Sequence, residues 1–205
     1  MAIVHPAVPE MPPPASTTVP RGFALMVGRM SAEERYKGHD EVIAAWPAVK
    51  AAYPAACLVI AGDGTDRRRL EQKVTDAGLA ADIQFVGRVS DEELGALYGA
   101  ARFFVMPSRD EGFGLVYLEA MQLGVPCVAS PGAASEIIDD GDDGLLVPAG
   151  DVTAIAAACV RMFTDAALCR RLGDAAAASI ARRFAFSRFA TELRAAIEGR
   201  EAAAC

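Results

Sequence analysis

Residues 102–121 read RFFVMPSRDEGFGLVYLEAM. A short run of aromatic and β-branched residues stops at Pro107-Ser108, a polar stretch with two glycines turns the chain, and a second apolar run follows. The first run has the length and composition of a buried strand. The second reads as a helix built for burial. It carries one conspicuous charge, Glu119, among Leu115, Val116, Tyr117, Leu118, Ala120, Met121 and Leu123. Burying a carboxylate costs several kcal/mol unless something hydrogen-bonds it, so Glu119 calls for a partner.

The same order of apolar run, glycine turn and helix recurs on both sides. FALMVG (23–28) precedes a helical stretch at about 40–52, and CLVIAGDG (57–64) precedes another at about 66–77. IQFVG (83–87) leads to Ser90-Asp91-Glu92-Glu93, the signature of a capping box at a helix start. PCVASPG (126–132) precedes a short helix near 134–138, and GLLVP (144–148) precedes alanine-rich helices over about 152–198. Strands alternating with helices predict an α/β fold, a Rossmann-like parallel sheet flanked by helices. In such sheets ligands bind at the carboxyl ends of the strands, and every glycine loop named here falls at that rim.

Composition narrows the function. With 53% hydrophobic and 23% charged residues, the 205-residue chain has ample material for one core. A net charge of −7 argues against a general nucleic-acid binder. The five cysteines (57, 127, 159, 169 and 205) form no CxxC pair and do not cluster with the two histidines, which disfavours zinc and a disulfide framework. A reducing, cytoplasmic compartment is the expectation, with no transmembrane segment and no signal peptide. Six of the 12 prolines fall in residues 1–20, read as a linker or disordered lead-in; the domain is expected over 21–205.

Two loops carry the chemistry. In GRMSAEERYKGHD (28–40), Arg29 and Lys37 flank a polar loop that enters a helix near Gly38. Two cations beside a helix N-terminus make a phosphate clamp, and two ordinary surface charges read as well from this loop alone. Glu33, Glu34 and Arg35 read as a solvated tip, and His39 as a surface residue at a helix start. In the fourth loop Glu111 precedes the helix, and Gly112 and Gly114 bring bare N–H groups toward an anion. A nucleotide sugar satisfies both glutamates, with ribose on Glu119, diphosphate at the glycine turn and sugar hydroxyls near Glu111. The plainer alternative, a buried glutamate paired with a basic neighbour, accounts for Glu119 alone. Gly62 and Gly64 mark a place where backbone passes close to something, or simply a tight turn. Arg67-Arg68-Arg69 reads as a solvated helix face, because consecutive residues point around a helix.

Together, GR…KG, GDG, FVGRVSDEEL, MPSRDEGFGLVYLEAM, GVPCVAS and DGLLVPAGD resemble the C-terminal, donor-binding half of GT-B glycosyltransferases of the retaining family 4, from about Arg21 to Cys205. The resemblance implies transfer of a hexosyl group from a GDP-, UDP- or ADP-sugar without a metal or other cofactor. It gives Arg29 and Lys37 the departing diphosphate, Glu111 the transferred sugar and Glu119 the ribose. Backbone of Gly112, Phe113, Gly114 and Leu115 would meet sugar and phosphate, Gly62 would border the donor, and Val86, Gly87 and Arg88 would cradle the base. The chain departs from the pattern in a slightly longer Arg29–Lys37 loop, and in SPGAASEI (130–137) where relatives often carry a Gly-Gly pair; Gly132 and Glu136 remain.

The resemblance also implies an absent N-terminal domain holding the acceptor site, with IVHPAVPE (3–10) as the inter-domain segment. The chain alone is then expected to bind donor and transfer little or nothing, and the full-length enzyme leaves room for peripheral membrane association. Phe184, Phe186 and Phe189 would lie partly exposed and favour self-association, or form an ordinary core-facing stripe. Two other readings stand beside this one: half of a sugar-nucleotide epimerase, and a stand-alone nucleotide-binding or scaffolding module. A dehydrogenase-like domain is disfavoured, since no GxGxxG follows the first strand.

Overall fold

A computed structural model describes residues 19–197. The strand read from residues 102–107 is β4 (Phe103–Met106), with every residue buried. It lies inside a six-stranded sheet of order β3-β2-β1-β4-β5-β6. The others are β1 (Ala24–Val27), β2 (Leu58–Ala61), β3 (Ile83–Gly87), β5 (Cys127–Ala129) and β6 (Gly144–Leu146). All five pairings are parallel, β1 aligning Ala24 with Leu58 of β2 on one side and with Phe103 of β4 on the other. Helices cover both faces of a parallel sheet, which is why its central strands read as unbroken apolar runs.

Helices α1 (His39–Ala52), α2 (Arg67–Asp76), α3 (Asp91–Ala100) and α4 (Leu115–Gln122) follow strands one to four, and α5 (Val152–Thr164), α6 (Ala166–Arg183) and α7 (Phe186–Ile197) close the chain. The expected short helix after β5 is a 3-10 turn at Ala133–Glu136. Helix α1 packs on α5, and α4 on α6. An aromatic seam ties the first pair to the sheet: the Phe163 ring lies 4.9 Å from Phe103, 5.2 Å from Tyr53 and 6.1 Å from Trp46. Among the described residues, no single helix is long and apolar enough to cross a membrane.

At the ends the expectations divide. Residues 1–18 of the proposed lead-in, and everything beyond Ile197, lie outside the described residues, while Val19 is already buried in the core. Phe184 is buried, with its ring 6.2 Å from Phe113. Phe186 is 67% exposed and Phe189 half-buried, and α7 carries no buried residue at all. The C-terminal phenylalanines therefore follow both readings, Phe184 the core and Phe186 the surface.

Candidate functional site

The strand order reverses between β1 and β4: the chain builds outward through β2 and β3, then returns to place β4 against the other side of β1. That switch point opens a crevice at the carboxyl ends, where the connections leave in opposite directions. The loops after β1 and β4 meet there. A 3-10 segment (Ala32–Lys37) ends the first loop, and the Arg109 amide donates to the Tyr36 carbonyl at 2.8 Å. Lys37 Nζ donates to Glu111 Oε1 at 2.7 Å across 74 residues of sequence, with side chains only 13% and 15% exposed. Gly38 is left-handed (φ 88°), and a Cβ there would lie 2.9 Å from the Pro107 carbonyl oxygen. The two loops are fastened by backbone as well as by charge.

Helix α4 starts beside this pair. Gly114 (φ 87°) begins it without a side-chain cap, and a Cβ at that position would lie 2.5 Å from the Tyr117 ring. Tyr117 is fixed in turn by donating its hydroxyl to the Met106 carbonyl at 2.7 Å. Gly112 differs, having open space around it. Leu115 is 49% exposed at the helix start.

One turn into α4, Glu119 is half-buried and accepts from the Tyr98 hydroxyl at 3.1 Å. It has no ion pair among the described residues, so the basic neighbour of the plainer reading is not what holds it. Burial pushes its carboxyl above the ordinary range, and the Tyr98 hydrogen bond opposes that only in part. An acid whose pKa is raised by folding lowers stability at neutral pH.

Three of the other expected residues, Arg29, Gly62 and Arg88, border a separate part of the rim. A cleft of about 800 Å³ lies over the ends of β1, β2 and β3, and its walls include Gly28, Arg29, Gly62 and Arg88. Lys37, Glu111, Val86 and Gly87 are not among the residues lining it. Arg29 is 79% exposed along its side chain and pairs with Glu34 at 2.7 Å. Gly62 and Gly64 have a sharper explanation than a ligand: a Cβ on either would lie 2.0–2.1 Å from the carbonyl oxygen of Gly28 or Met30. What their backbone passes close to is the first loop. Gly87 is left-handed (φ 75°) where the β2–β3 register shifts, and its carbonyl accepts from the Gly62 amide at 2.8 Å.

Three readings are corrected here, the first being the solvated tip, where Glu34 is only 12% exposed and pairs with Arg29, and Arg35 bonds to Asp66. His39 is not a surface residue: it is 3% exposed, and its Nε2 has no hydrogen-bond partner among the described residues. Desolvation, then the nearby Lys37 charge, lowers its pKa to about 4, so the ring is neutral at neutral pH. The arginine run is not wholly solvated either. Arg69 forms bidentate pairs with Asp40 (2.9 and 2.6 Å) and with Asp66 (2.9 and 2.6 Å). Arg35 joins through two 2.9 Å bonds to Asp66, and Lys73 through a 2.6 Å bond to Asp40. Only Arg68 behaves as read. This network, unforeseen in the sequence, braces the 3-10 segment that presents Lys37.

Residues 21–165 match the family model described as glycosyl transferases group 1. The chain belongs to that family. Among its glycosyltransferase relatives, the GDP-mannose-dependent alpha-(1-6)-phosphatidylinositol monomannoside mannosyltransferase of Mycobacterium tuberculosis is 31% identical over 175 residues, 82% of this chain and 46% of that protein. The solved sucrose-phosphate synthase of Thermosynechococcus elongatus superposes with a TM-score of 0.79 at 33% identity, over 87% of this chain and 45% of that one. The C-terminal domain of a group 1 glycosyl transferase from Francisella tularensis gives 0.75 at 28% identity, over 85% of this chain and 96% of that domain. The sheet is thus the Rossmann-like C-terminal half of a GT-B fold, and the chain spans under half the length of the full-length proteins it matches here.

Proposed function

We propose that this glycosyltransferase chain is the donor-binding half of a retaining enzyme that moves a hexosyl group from a nucleoside diphosphate sugar to an acceptor. The observation that carries the reading is the Lys37–Glu111 pair, held at 2.7 Å at the switch point beside two uncapped helix starts. Each partner is what the other lacks until a donor arrives. Phosphate oxygens would take over Lys37, and sugar hydroxyls would take over Glu111. As the sugar–phosphate bond breaks, negative charge builds on the departing diphosphate, where Lys37, Arg29 and the N–H groups opening α4 would stabilise it. No metal enters this scheme. Glu119, kept at a cost to stability with no cation beside it, would accept ribose hydroxyls, and Arg88 and Gly62 would border the base.

Acceptor binding would fall to an N-terminal half. The face of α7 that bears Phe186, Phe189 and Leu193 would pack on that half, or on a second copy in its absence. The chain by itself would bind donor and transfer little.

The test is calorimetry and thermal shift with UDP, GDP, ADP and their hexose conjugates. A ligand at a hundred times its Kd stabilises by about 2.7 kcal/mol, well within the reach of a melt. Glu119→Gln should weaken the preferred nucleotide by roughly 1.5–3 kcal/mol, the range for a hydrogen bond to a charged group. The same variant should melt higher, since it removes a desolvated acid. Unchanged affinity would remove Glu119 from the donor site, and silence across the panel would favour a module that binds no donor.

A further inference from the structure

His39 is the first residue of α1, a 14-residue helix that starts on Gly38 with no side-chain cap. Its imidazole is enclosed, and Nε2 has no hydrogen-bond partner among the described residues. A buried ring nitrogen left unpaired is costly, and such groups point to a missing partner. Its position indicates which. A Cβ built on Gly28 would lie 3.7 Å from His39 Cε1, 4.0 Å from Nε2 and 3.3 Å from Lys37 Cδ. The absent side chain at Gly28 lets the imidazole and the lysine stem pack closely against its backbone, behind a residue that itself lines the large cleft, so room for a ligand atom there depends on the lysine stem moving. The lysine stem occupies that space while its ammonium is bonded to Glu111.

The groups converging there are donors: the ammonium of Lys37, the open N–H groups of the α1 start, and a ring nitrogen. The nearby carboxylates are engaged elsewhere, Glu111 by Lys37, Glu34 by Arg29, and Asp40 and Asp66 by Arg69. An oxygen-rich anion is the ligand that fits such a set. We propose that His39 donates a hydrogen bond from Nε2 to a phosphoryl oxygen of a bound nucleoside diphosphate, in the gap beside Gly28 that opens as Lys37 leaves Glu111. This rests on the nucleotide-sugar reading and adds a contact to it. The ring serves as a neutral donor, since burial and Lys37 both oppose its protonation. A neutral imidazole at a helix N-terminus keeps its N–H without adding a desolvated charge.

The experiment titrates the parent chain, His39→Leu and His39→Gln with UDP, GDP and ADP, their monophosphates, their hexose conjugates and inorganic pyrophosphate. It also follows the imidazole nitrogens of the parent by long-range 15N spectra. His39→Leu should weaken the preferred diphosphate about tenfold, the scale of one charge-assisted hydrogen bond. His39→Gln, which keeps an N–H of similar reach, should restore part of that loss. In the parent, the Nε2 resonance should move on adding the diphosphate and stay put when the matching nucleoside, uridine, guanosine or adenosine, is added as a control.

Equal diphosphate affinity in parent and His39→Leu, or an unmoved Nε2 resonance on saturation, overturns the contact while leaving the donor site standing. A loss confined to the hexose conjugates also overturns it, and assigns His39 to the sugar. If the parent binds no nucleotide and no pyrophosphate, the nucleotide-sugar reading fails and this inference fails with it. If His39→Leu does not fold, the glutamine variant and the spectra decide.

Discussion

Five helices start at the carboxyl rim of the sheet, and four of them start in one of two ways. Helices α3 and α5 follow the edge strands β3 and β6, and each is closed by its own side chain. Ser90 accepts from the Glu93 amide at 3.2 Å while the Glu93 carboxylate accepts from the Ser90 amide, and Asp151 accepts from the Ala154 amide at 2.9 Å. Helices α1 and α4 follow β1 and β4, the two strands at the switch point, and both start on left-handed glycines without a cap. A helix start leaves N–H groups that need an acceptor, supplied by a side chain, water or a ligand. At the edges the chain supplies it. At the switch point it does not, and the partial positive ends stay open to an anion. Helix α2 is intermediate, its Asp66 being turned to Arg35 and Arg69 instead of capping.

The sharpest way to break this contrast is to put side chains on the two glycines. Gly114→Ala would force a left-handed alanine whose Cβ lies 2.5 Å from the Tyr117 ring, and Gly38→Ala one whose Cβ lies 2.9 Å from the Pro107 carbonyl. A left-handed backbone and a core clash together cost about 2–4 kcal/mol. Urea unfolding measures it, with Gly141→Ala as control. Gly141 is also left-handed (φ 81°), but open space surrounds it, so its loss should be about 1–2 kcal/mol. Equal losses at Gly114 and Gly141 would mean that the Tyr117 ring moves aside freely and that the α4 start is less fixed than its geometry indicates.

The α1 start carries a second cost, smaller and visible in pH. His39 titrates near 4 in the folded chain against about 6.5 in the unfolded one. The unfolded state therefore binds more protons in that window. The stabilisation is fully present above about 6.5 and is lost as pH falls toward 4. At pH 4.5 the loss amounts to about 2 kcal/mol at one pKa unit per 1.36 kcal/mol, allowing for incomplete burial. Glu119 and Asp143 act the other way, because burial raises both of their carboxyl pKa values. The clean measurement is the parent against His39→Gln from pH 7.5 to 4.5, where the parent should lose ground steadily. Parallel curves would mean that the ring already reaches water.

These two helix starts also show what the sequence reveals and what it hides. The strands, the helices and the Ser90 capping box were legible, because each is written in neighbouring residues by apolar run, glycine and polar cap. Glu111, Lys37 and the uncapped glycine turn were legible as separate pieces. Their meeting was not, since strand order decides which loops share the switch point and no local pattern encodes that order. His39 was misread for the same reason. Between Gly38 and Asp40 it has polar surroundings in sequence, and folding turns its ring inward against the backbone at Gly28. For Gly62 and Gly64 the sequence left close approach and tight turn equally open; the structure shows a close approach, to the backbone of residues 28 and 30. Arg69 looked solvated until folding brought Asp40 from 29 residues away.

The smallest effect tests the other half of the contrast. If α3 and α5 are closed because nothing binds at their starts, then Ser90→Ala and Asp151→Ala should each cost about 1 kcal/mol of stability, the ordinary value of an N-cap. Neither should change nucleotide affinity. Ser90 is the more searching case, since the α3 start follows Arg88 and Val89, which line the cleft. A Ser90→Ala variant that weakened nucleotide binding as well as the fold would mean that α3 also presents its start to the ligand. The division between capped edge and open switch point would then fail on that side of the sheet. Loss of stability alone, read by urea unfolding beside an unchanged calorimetric titration, would confine the anion-facing helix starts to α1 and α4.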